Sequence, residues 1–161
     1  MSTQAYKPSG QDNESKIRNC TQEDFHTLCS LDWDPLPKER SSFYLTITTE
    51  QAELSFISED EDGEFLGVLL TTRSADGLSC YLNHLLVESR VRGRGIGAAL
   101  VERLKGECRS LGIKRIWLIT NKGRKAFYER LGFEEDYSFF IPSIRNYIQV
   151  EKGKLIMRAC L

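Results

Sequence analysis

The stretch Arg92-Gly93-Arg94-Gly95-Ile96-Gly97 decides the fold, because it joins a run of strand-forming residues to a run with helical spacing. N–H groups at the start of a helix lack partners within the helix, and the helix dipole adds partial positive charge there. Glycine permits positive φ and close approach of a ligand to the backbone. Arg92 and Arg94 add full positive charges that suit phosphate. The stretch therefore predicts an anion-binding turn between a strand and a helix.

The common phosphate motifs do not match this turn. A P-loop needs a lysine followed by serine or threonine, and no such pair follows here. A dinucleotide fingerprint spaces its glycines as G-x-G-x-x-G inside a strand–helix–strand unit, whereas Gly93, Gly95 and Gly97 alternate. The remaining alternative is a tight turn with solvated arginines, but three glycines in five residues exceed the needs of a turn.

Periodicity places the turn in the middle of a mixed sheet. Strands are predicted over 15–19, 52–57, 65–72, 78–87, 113–120, 133–141 and 154–161, and helices from Thr21 and over 96–110 and 122–131. Pro35 and Pro37 should end the first helix. Residues 38–51 fit a short helix or extended chain. Because strand, helix and strand in succession form a crossover, we predict an α/β fold with antiparallel N-terminal strands and a parallel central pair.

Length and charge indicate one globular domain. The chain has 161 residues and a net charge of −1, and we expect residues 1–15 to form a flexible tail ahead of a single domain over 16–161. The near-neutral charge argues against nucleic-acid or membrane partners. No apolar run reaches the roughly 20 residues of a membrane span, and the first residues do not resemble a targeting signal. We therefore expect a cytoplasmic protein.

Cysteine and histidine are distributed without a metal-binding pattern. The chain has five cysteines, no C-x-x-C pair and two histidines. This usage predicts reduced thiols, and neither a disulfide framework nor a metal site.

The glycine turn and a downstream segment together resemble a known family. Residues 85–100 resemble the acyl-CoA-binding motif of the GNAT superfamily of N-acetyltransferases, Q/R-x-x-G-x-G/A, matched by Arg92, Gly95 and Gly97. Asn121 and the run 126–133, AFYERLGF, resemble the family's second hallmark. The resemblance implies a GNAT-type fold and transfer of an acetyl group from acetyl-CoA to a primary amine, directly within a ternary complex. It is also compatible with a homodimer.

The resemblance implies a set of cofactor contacts along the fourth strand, the turn and the following helices. The strand edge near Leu85 and Val87 would pair with the pantetheine arm. The apolar run Leu85-Leu86-Val87 is consistent with a β-bulge or with a strand buried on both faces. The implied cofactor-binding residues are Leu85, Leu86, Val87, Arg92, Gly93, Arg94, Gly95, Ile96, Gly97, Ala98, Asn121, Lys125, Phe127 and Tyr128.

The same resemblance suggests catalytic residues. Tyr128 matches the family's general acid for the departing thiolate, although it could simply pack against the sheet. His84 could accept the amine proton, or it could be a packed polar residue, and Asn83 could instead order a water. Asn121 could contact the cofactor or cap the following helix.

The acceptor and the activity itself stay open. Acceptor contacts are expected from Trp33, Phe43, Tyr44 and 141–147, each of which could equally serve packing. A non-catalytic acyl-CoA sensor on the same fold is a second possibility. A nucleic-acid binder using Arg90, Arg92 and Arg94 is a third, which the near-neutral charge disfavours.

Overall fold

One seven-stranded sheet forms the centre of the protein. The computed structural model describes residues 15–31 and 40–161. Its strands are β1 Lys16–Asn19, β2 Phe56–Glu59, β3 Phe65–Arg73, β4 Ser79–Val87, β5 Arg115–Thr120, β6 Glu134–Glu135 and β7 Leu155–Cys160. Their order is β1-β2-β3-β4-β5-β7-β6. β4 and β5 run parallel and the other neighbours antiparallel, which confirms the predicted fold class.

Helices cover both faces of the sheet. They are α1 Phe25–Ser30, α2 Ser41–Glu50, α3 Ile96–Ser110, α4 Lys125–Arg130 and α5 Pro142–Asn146, and a π-helical turn, Tyr147–Glu151, follows α5. The helix predicted over 96–110 is confirmed at both ends. The ambiguous segment 38–51 contains α2, whereas Pro35 and Pro37 lie outside the described residues. Within the described part of the chain, no helix is long and apolar enough to cross a membrane.

Two predicted strands are wrong in their extent. The strand predicted over 133–141 ends at Glu135, because Asp136 accepts a hydrogen bond from the Ser138 N–H at 2.8 Å and pairs with Arg158. Pro142 then begins α5, where the fixed φ of proline suits the first helical position. The strand predicted over 52–57 begins at Phe56, because Ala52–Leu54 form a 3-10 turn.

Helix α3 begins close against β3. Leu100, Val101 and Leu104 are fully buried on this face of the sheet. Gly67 lies beneath the start of the helix, where a Cβ would stand 2.9 Å from the Leu86 carbonyl oxygen and 3.3 Å from Ile96 Cγ2. Any side chain at residue 67 would therefore displace the backbone of β4 or the first turn of α3.

The strands β4 and β5 pair at one end and part at the other. They pair only from Ser79–Tyr81 to Arg115–Trp117. Beyond Tyr81, β4 continues beside β3 as far as Val87, while β5 continues beside β7 as far as Thr120. The sheet therefore opens between its two central strands.

A β-bulge lies at the point of opening. Leu70 pairs with His84 and Thr71 with Leu82, so Asn83 is the extra residue of β4. A bulge at Leu85-Leu86-Val87 is wrong, because these residues pair in regular register with Leu69, Val68 and Gly67. The apolar run instead reflects a strand buried on both faces, since Leu85 and Val87 pack on one face of the sheet and Leu86 on the other.

The close approach at Gly67 can be tested by stability measurements. We expect Gly67→Ala to lower the free energy of unfolding by about 1–3 kcal/mol, because the methyl group meets the Leu86 carbonyl. Gly106→Ala is the control, since a Cβ there meets nothing within 4 Å, and it should raise stability by about 0.5–1 kcal/mol. Urea denaturation measures both. Equal effects would contradict a special constraint at Gly67.

Candidate active site

The glycine turn leads into α3 with two residues in the left-handed region. Gly93 has φ 80° and Gly95, the N-cap of α3, has φ 84°. A Cβ at either position would meet nothing within 4 Å, so the requirement for glycine comes from the backbone conformation and not from crowding. The first N–H groups of α3 lack helical partners and are available to an anion.

The three arginines near the turn have different environments. Arg92 donates from Nε to the Val87 carbonyl oxygen at 2.9 Å and so ties the turn to the end of β4. Arg90 pairs with Glu64 at 3.3 Å, which partly neutralises its charge. Arg94 is exposed. The predicted anion site would therefore use backbone N–H groups together with Arg92, whose remaining donors are free of the Val87 contact.

A cleft of about 610 Å³ runs from the turn toward the opening in the sheet. Most of the predicted cofactor contacts line it, whereas Arg94, Asn121 and Lys125 do not. The lining residues are Leu85, Leu86, Val87, Arg92, Gly93, Gly95, Ile96, Gly97, Ala98, Arg124, Phe127, Tyr128, Arg130 and Leu131.

The sequence analysis missed two of the cations in this lining, Arg124 and Arg130. The spacing of Arg124, Phe127, Tyr128 and Leu131 is i, i+3, i+4 and i+7, which places them on one helical face. That pattern was available from the sequence once Tyr128 had been singled out. With Arg92, the two residues give the cleft three cations.

Tyr128 lies in the wall of the cleft and is 4% exposed. Its ring stands edge-on to Phe127 at 5.0 Å and to Phe133 at 5.6 Å between centroids. Burial raises the pKa of Tyr128 to about 12, against the opposing charge of Arg124. The phenol is therefore protonated at neutral pH and can donate a proton to a group bound in the cleft.

Asn121 and Lys125 lie outside the cleft lining. Asn121 occupies the N-cap position of the turn before α4, but its side chain makes no capping hydrogen bond and its backbone oxygen accepts from the Arg124 N–H at 3.1 Å. The capping role considered for its side chain is therefore not observed. Lys125 pairs with Glu129 at 3.7 Å and with Glu135 at 3.8 Å.

His84 contacts an arginine on the sheet face covered by α1 and α2. Arg40 Nη1 lies 2.7 Å from His84 Nε2, and the Phe43 ring stands edge-on to the imidazole at 5.4 Å. Burial and the charge of Arg40 lower the pKa of His84 to about 4. A neutral imidazole has one acceptor nitrogen, and a guanidinium can only donate, so Nε2 accepts from Arg40. This geometry does not favour His84 as the base.

Asn83 and the residues predicted to contact the acceptor lie in different environments. Asn83 donates from Nδ2 to Thr72 Oγ1 at 3.0 Å and to the Tyr81 carbonyl at 3.3 Å, which leaves its Oδ1 as an acceptor. Phe43 lies beside His84, whereas Tyr44 is buried in the core. The segment 141–147 contains α5, and Trp33 lies outside the described residues.

A wall of aromatic residues extends along the same sheet face from β4. Tyr81 packs on Trp117 with ring centroids 4.3 Å apart, and Trp117 meets Phe139 at 6.0 Å and Phe140 at 5.2 Å. Among the described residues, no group of His, Cys, Asp or Glu side chains could hold a metal ion.

The cleft brings together the end of β4, the N-terminus of α3 and three cations, an arrangement that suits an elongated anionic ligand. A profile of the acetyltransferase (GNAT) family matches residues 20–133. The chain therefore belongs to the GNAT family of acetyltransferases, which confirms the resemblance.

Curated relatives share segments of this chain. It is 40% identical over 57 residues to an uncharacterised N-acetyltransferase of Methanocaldococcus jannaschii, a match that covers 34% of this chain and 25% of that protein. Matches to two further relatives cover 49% and 38% of their lengths, so the chain spans at most about half of the curated relatives it matches.

Solved structures match nearly the whole chain. Ard1 from Thermoplasma volcanium superposes with a TM-score of 0.72 at 15% identity, over 91% of this chain and 97% of that one. N-acetylglutamate synthase from Neisseria gonorrhoeae, complexed with coenzyme A and N-acetyl-glutamate, superposes with a TM-score of 0.71 at 22% identity, over 92% and 35%. At these identities the similarity shows the fold alone.

The contact between His84 and Arg40 predicts how stability depends on pH. The folded pKa of about 4 lies below the ordinary 6.5, so between these values the folded protein binds fewer protons than the unfolded chain. The contribution of neutral His84 is therefore lost as pH falls from about 6.5 to 4. We expect His84→Gln to show a shallower loss of stability over this range than wild type in denaturant titrations.

His26→Gln, at an exposed position, serves as the control for this experiment. It should follow the wild-type slope. If His84→Gln also follows that slope, His84 titrates normally and is not held neutral by its surroundings.

Proposed function

We propose that the protein transfers an acetyl group from acetyl-CoA to a primary amine, directly within a ternary complex. The observation that carries the proposal is the cleft beside the end of β4 that has no β5 partner, whose lining contains both the glycine turn and Tyr128. The acetyltransferase (GNAT) profile supports acyl transfer.

The residues of the cleft fit coenzyme A. The N–H groups at the start of α3 suit a pyrophosphate, and Arg92, Arg124 and Arg130 add positive charge. The edge of β4 beyond Tyr81 has no β5 partner, so its backbone groups can pair with the amides of the pantetheine arm. Leu85, Val87 and the other apolar residues of the wall would enclose the arm.

Acetyl-CoA supplies the acyl group as a thioester, whose C–S bond breaks as the amine nitrogen bonds to the carbonyl carbon, leaving a free thiol. Tyr128 gives the proton that the sulfur takes up and recovers one from solvent. The amine must lose a proton to become the amide, and water accepts it. Asn83 lies at the bulge where the sheet opens, and its Oδ1 would accept a hydrogen bond from such a water and orient it.

A neighbouring structure supports the ternary complex. In N-acetylglutamate synthase from Neisseria gonorrhoeae, coenzyme A and N-acetyl-glutamate are bound together. On this proposal, the acceptor would enter from the sheet face that carries Arg40 and the aromatic wall, opposite α3.

A non-catalytic acyl-CoA sensor is the second candidate, and the engaged imidazole of His84 favours it over a base-assisted enzyme. A sensor would bind acetyl-CoA and release no thiol with any amine. Thiol release measured with an amine panel separates the two functions.

The anion site can be tested at two ends of one helix. Gly95 at the start of α3 and Gly112 beyond its end have φ 84° and 70°, so alanine at either position should destabilise the fold by about 1–2 kcal/mol. Only Gly95→Ala should also weaken acetyl-CoA binding, because it disturbs the N–H groups that face the cleft. Calorimetric titration with acetyl-CoA measures this. Equal affinity in the two variants would contradict the proposed pyrophosphate site.

The role of Tyr128 can be tested by removing its hydroxyl group. We expect Tyr128→Phe to lower kcat by roughly 100-fold or more, with acetyl-CoA affinity nearly unchanged, since general acid catalysis typically contributes a factor of this size. Tyr137→Phe is the control, because the Tyr137 hydroxyl lies outside the cleft lining and accepts from the Ile156 N–H. Unchanged turnover in Tyr128→Phe would refute the assignment.

A further inference from the structure

Arg40 is an arginine whose recorded partners are both uncharged. Its guanidinium lies 4.7 Å from the centre of the Phe43 ring and 2.7 Å from His84 Nε2. Among residues 15–31 and 40–161, no carboxylate lies within ion-pair distance of it. By contrast, Arg18 pairs with Asp24, and Arg158 pairs with Asp136. The positive charge of Arg40 is therefore uncompensated within the described part of the chain.

The position of Arg40 is fixed from two sides. Its carbonyl oxygen accepts the Tyr44 N–H of α2 at 3.1 Å, which places the backbone at the start of that helix. Its guanidinium reaches β4 at His84, next to the bulge at Asn83 where the sheet opens. A neutral His84 accepts one of the five guanidinium N–H donors and leaves the others for a ligand.

The charge of Arg40 acts on the surroundings of the reaction site. Burial raises the pKa of Tyr81, and Arg40 opposes that rise. Tyr81 in turn contributes to the raised pKa of Tyr128. Tyr81 is the last residue of β4 that pairs with β5, and His84, which contacts Arg40, follows it three residues later. An acceptor that enters where the sheet opens would therefore be within the field of Arg40.

Two properties of this face restrict the acceptor. A cation with no carboxylate partner among the described residues repels polyamines and other polycationic acceptors, and it attracts a carboxylate, which a planar guanidinium can bind with two parallel hydrogen bonds. The aromatic wall of Tyr81, Trp117, Phe139 and Phe140 offers an apolar surface beside it.

We infer that the acceptor is an amine that also carries a carboxylate, an amino acid with a large apolar side chain, and that Arg40 binds its carboxylate. This inference rests on the proposed acetyl transfer at the same site. The imidazole of His84 holds the guanidinium in place, and the aromatic wall receives the apolar side chain. Arg40 is then a specificity-determining residue, and His84 positions it.

A matched set of acceptors tests the carboxylate. Thiol release would be measured with phenylalanine, its amide, phenethylamine and spermidine. We expect kcat/KM for phenylalanine to exceed that for the amide and for phenethylamine by roughly 10- to 100-fold, the value of one charge-assisted contact. Spermidine should be the poorest acceptor. A preference for spermidine, or equal rates with phenylalanine and its amide, would overturn the inference while leaving the acetyltransferase proposal intact.

Variants test whether Arg40 causes the preference for an acceptor with a carboxylate. Arg40→Gln keeps a donor for His84 but removes the charge, so it should abolish the preference for phenylalanine over its amide, mainly by raising KM for phenylalanine. Arg40→Lys keeps the charge without the planar fork and should show an intermediate preference. Arg109→Gln, at an exposed position in the last turn of α3, is the control and should behave as wild type. A preference that survives in Arg40→Gln would exclude Arg40 as its cause.

Binding of the product separates this inference from the proposed activity. In the presence of coenzyme A, N-acetylphenylalanine should bind the wild-type protein at least roughly tenfold more tightly than its methyl ester, and Arg40→Gln should bind both equally. The measurement by calorimetry needs no turnover. If the carboxylate preference in binding is present without thiol release, the proposed function fails and the site for the carboxylate stands. Equal affinity of the wild-type protein for N-acetylphenylalanine and its methyl ester would overturn the inference.

Discussion

The parting of β4 from β5 beyond Tyr81 is the constraint on which the rest of the site depends. Two parallel strands that separate leave the N–H and C=O groups of their facing edges without sheet partners. Such groups must be solvated or must pair with a ligand. An elongated chain of amides is the kind of ligand that can pair with the edge of β4, and the cleft of about 610 Å³ beside residues 85–87 provides the room. The start of α3 and the phenol of Tyr128 are placed along that opening.

Several contacts maintain the opening. The extra residue Asn83 interrupts the regular ladder of β4 with β3 where the strands separate, and its amide nitrogen binds Thr72 and the Tyr81 carbonyl. At the far end, Arg92 ties the glycine turn to Val87. Arg92 thus serves the scaffold as well as the charge of the site. Bulges commonly increase local strand twist, which suits a position where one strand must leave its neighbour.

The elements that could be predicted from the sequence are those with a local cause. Helix α3 was predicted from 96 to 110 because its apolar periodicity and the following Gly112 are both local signals. The end of β6 was missed, since it depends on Asp136 meeting Arg158 from a strand 22 residues later in the chain. The sequence left the choice between a bulge and a doubly buried strand open for a related reason. An apolar run such as Leu85-Leu86-Val87 looks the same whether it is irregular or buried on both faces.

The candidate site likewise contains some residues that a local motif identifies and others whose environment depends on distant parts of the chain. Its glycine turn and Tyr128 belong to contiguous motifs, so they were found from the sequence. The environment of His84 was not predictable, because the pKa of its imidazole depends on Arg40, 44 residues away, and on burial. A histidine in a strand suggests a base only as long as its lone pair is free.

Under the proposed acetyl transfer, the guanidinium beside His84 would affect how the acceptor amine loses its proton. A positive charge and a desolvated surface both favour the neutral form of a bound ammonium group, and so they lower its pKa. The face that carries Arg40 supplies both, with a cation that has no carboxylate partner among the described residues and the aromatic wall around Trp117. An acceptor held there would lose its proton to water more readily than in solution, without an acidic residue acting as base. His84, which the sequence suggested as a general base, would then contribute by holding Arg40 in position. The positive field of Arg40 would assist deprotonation of the acceptor amine.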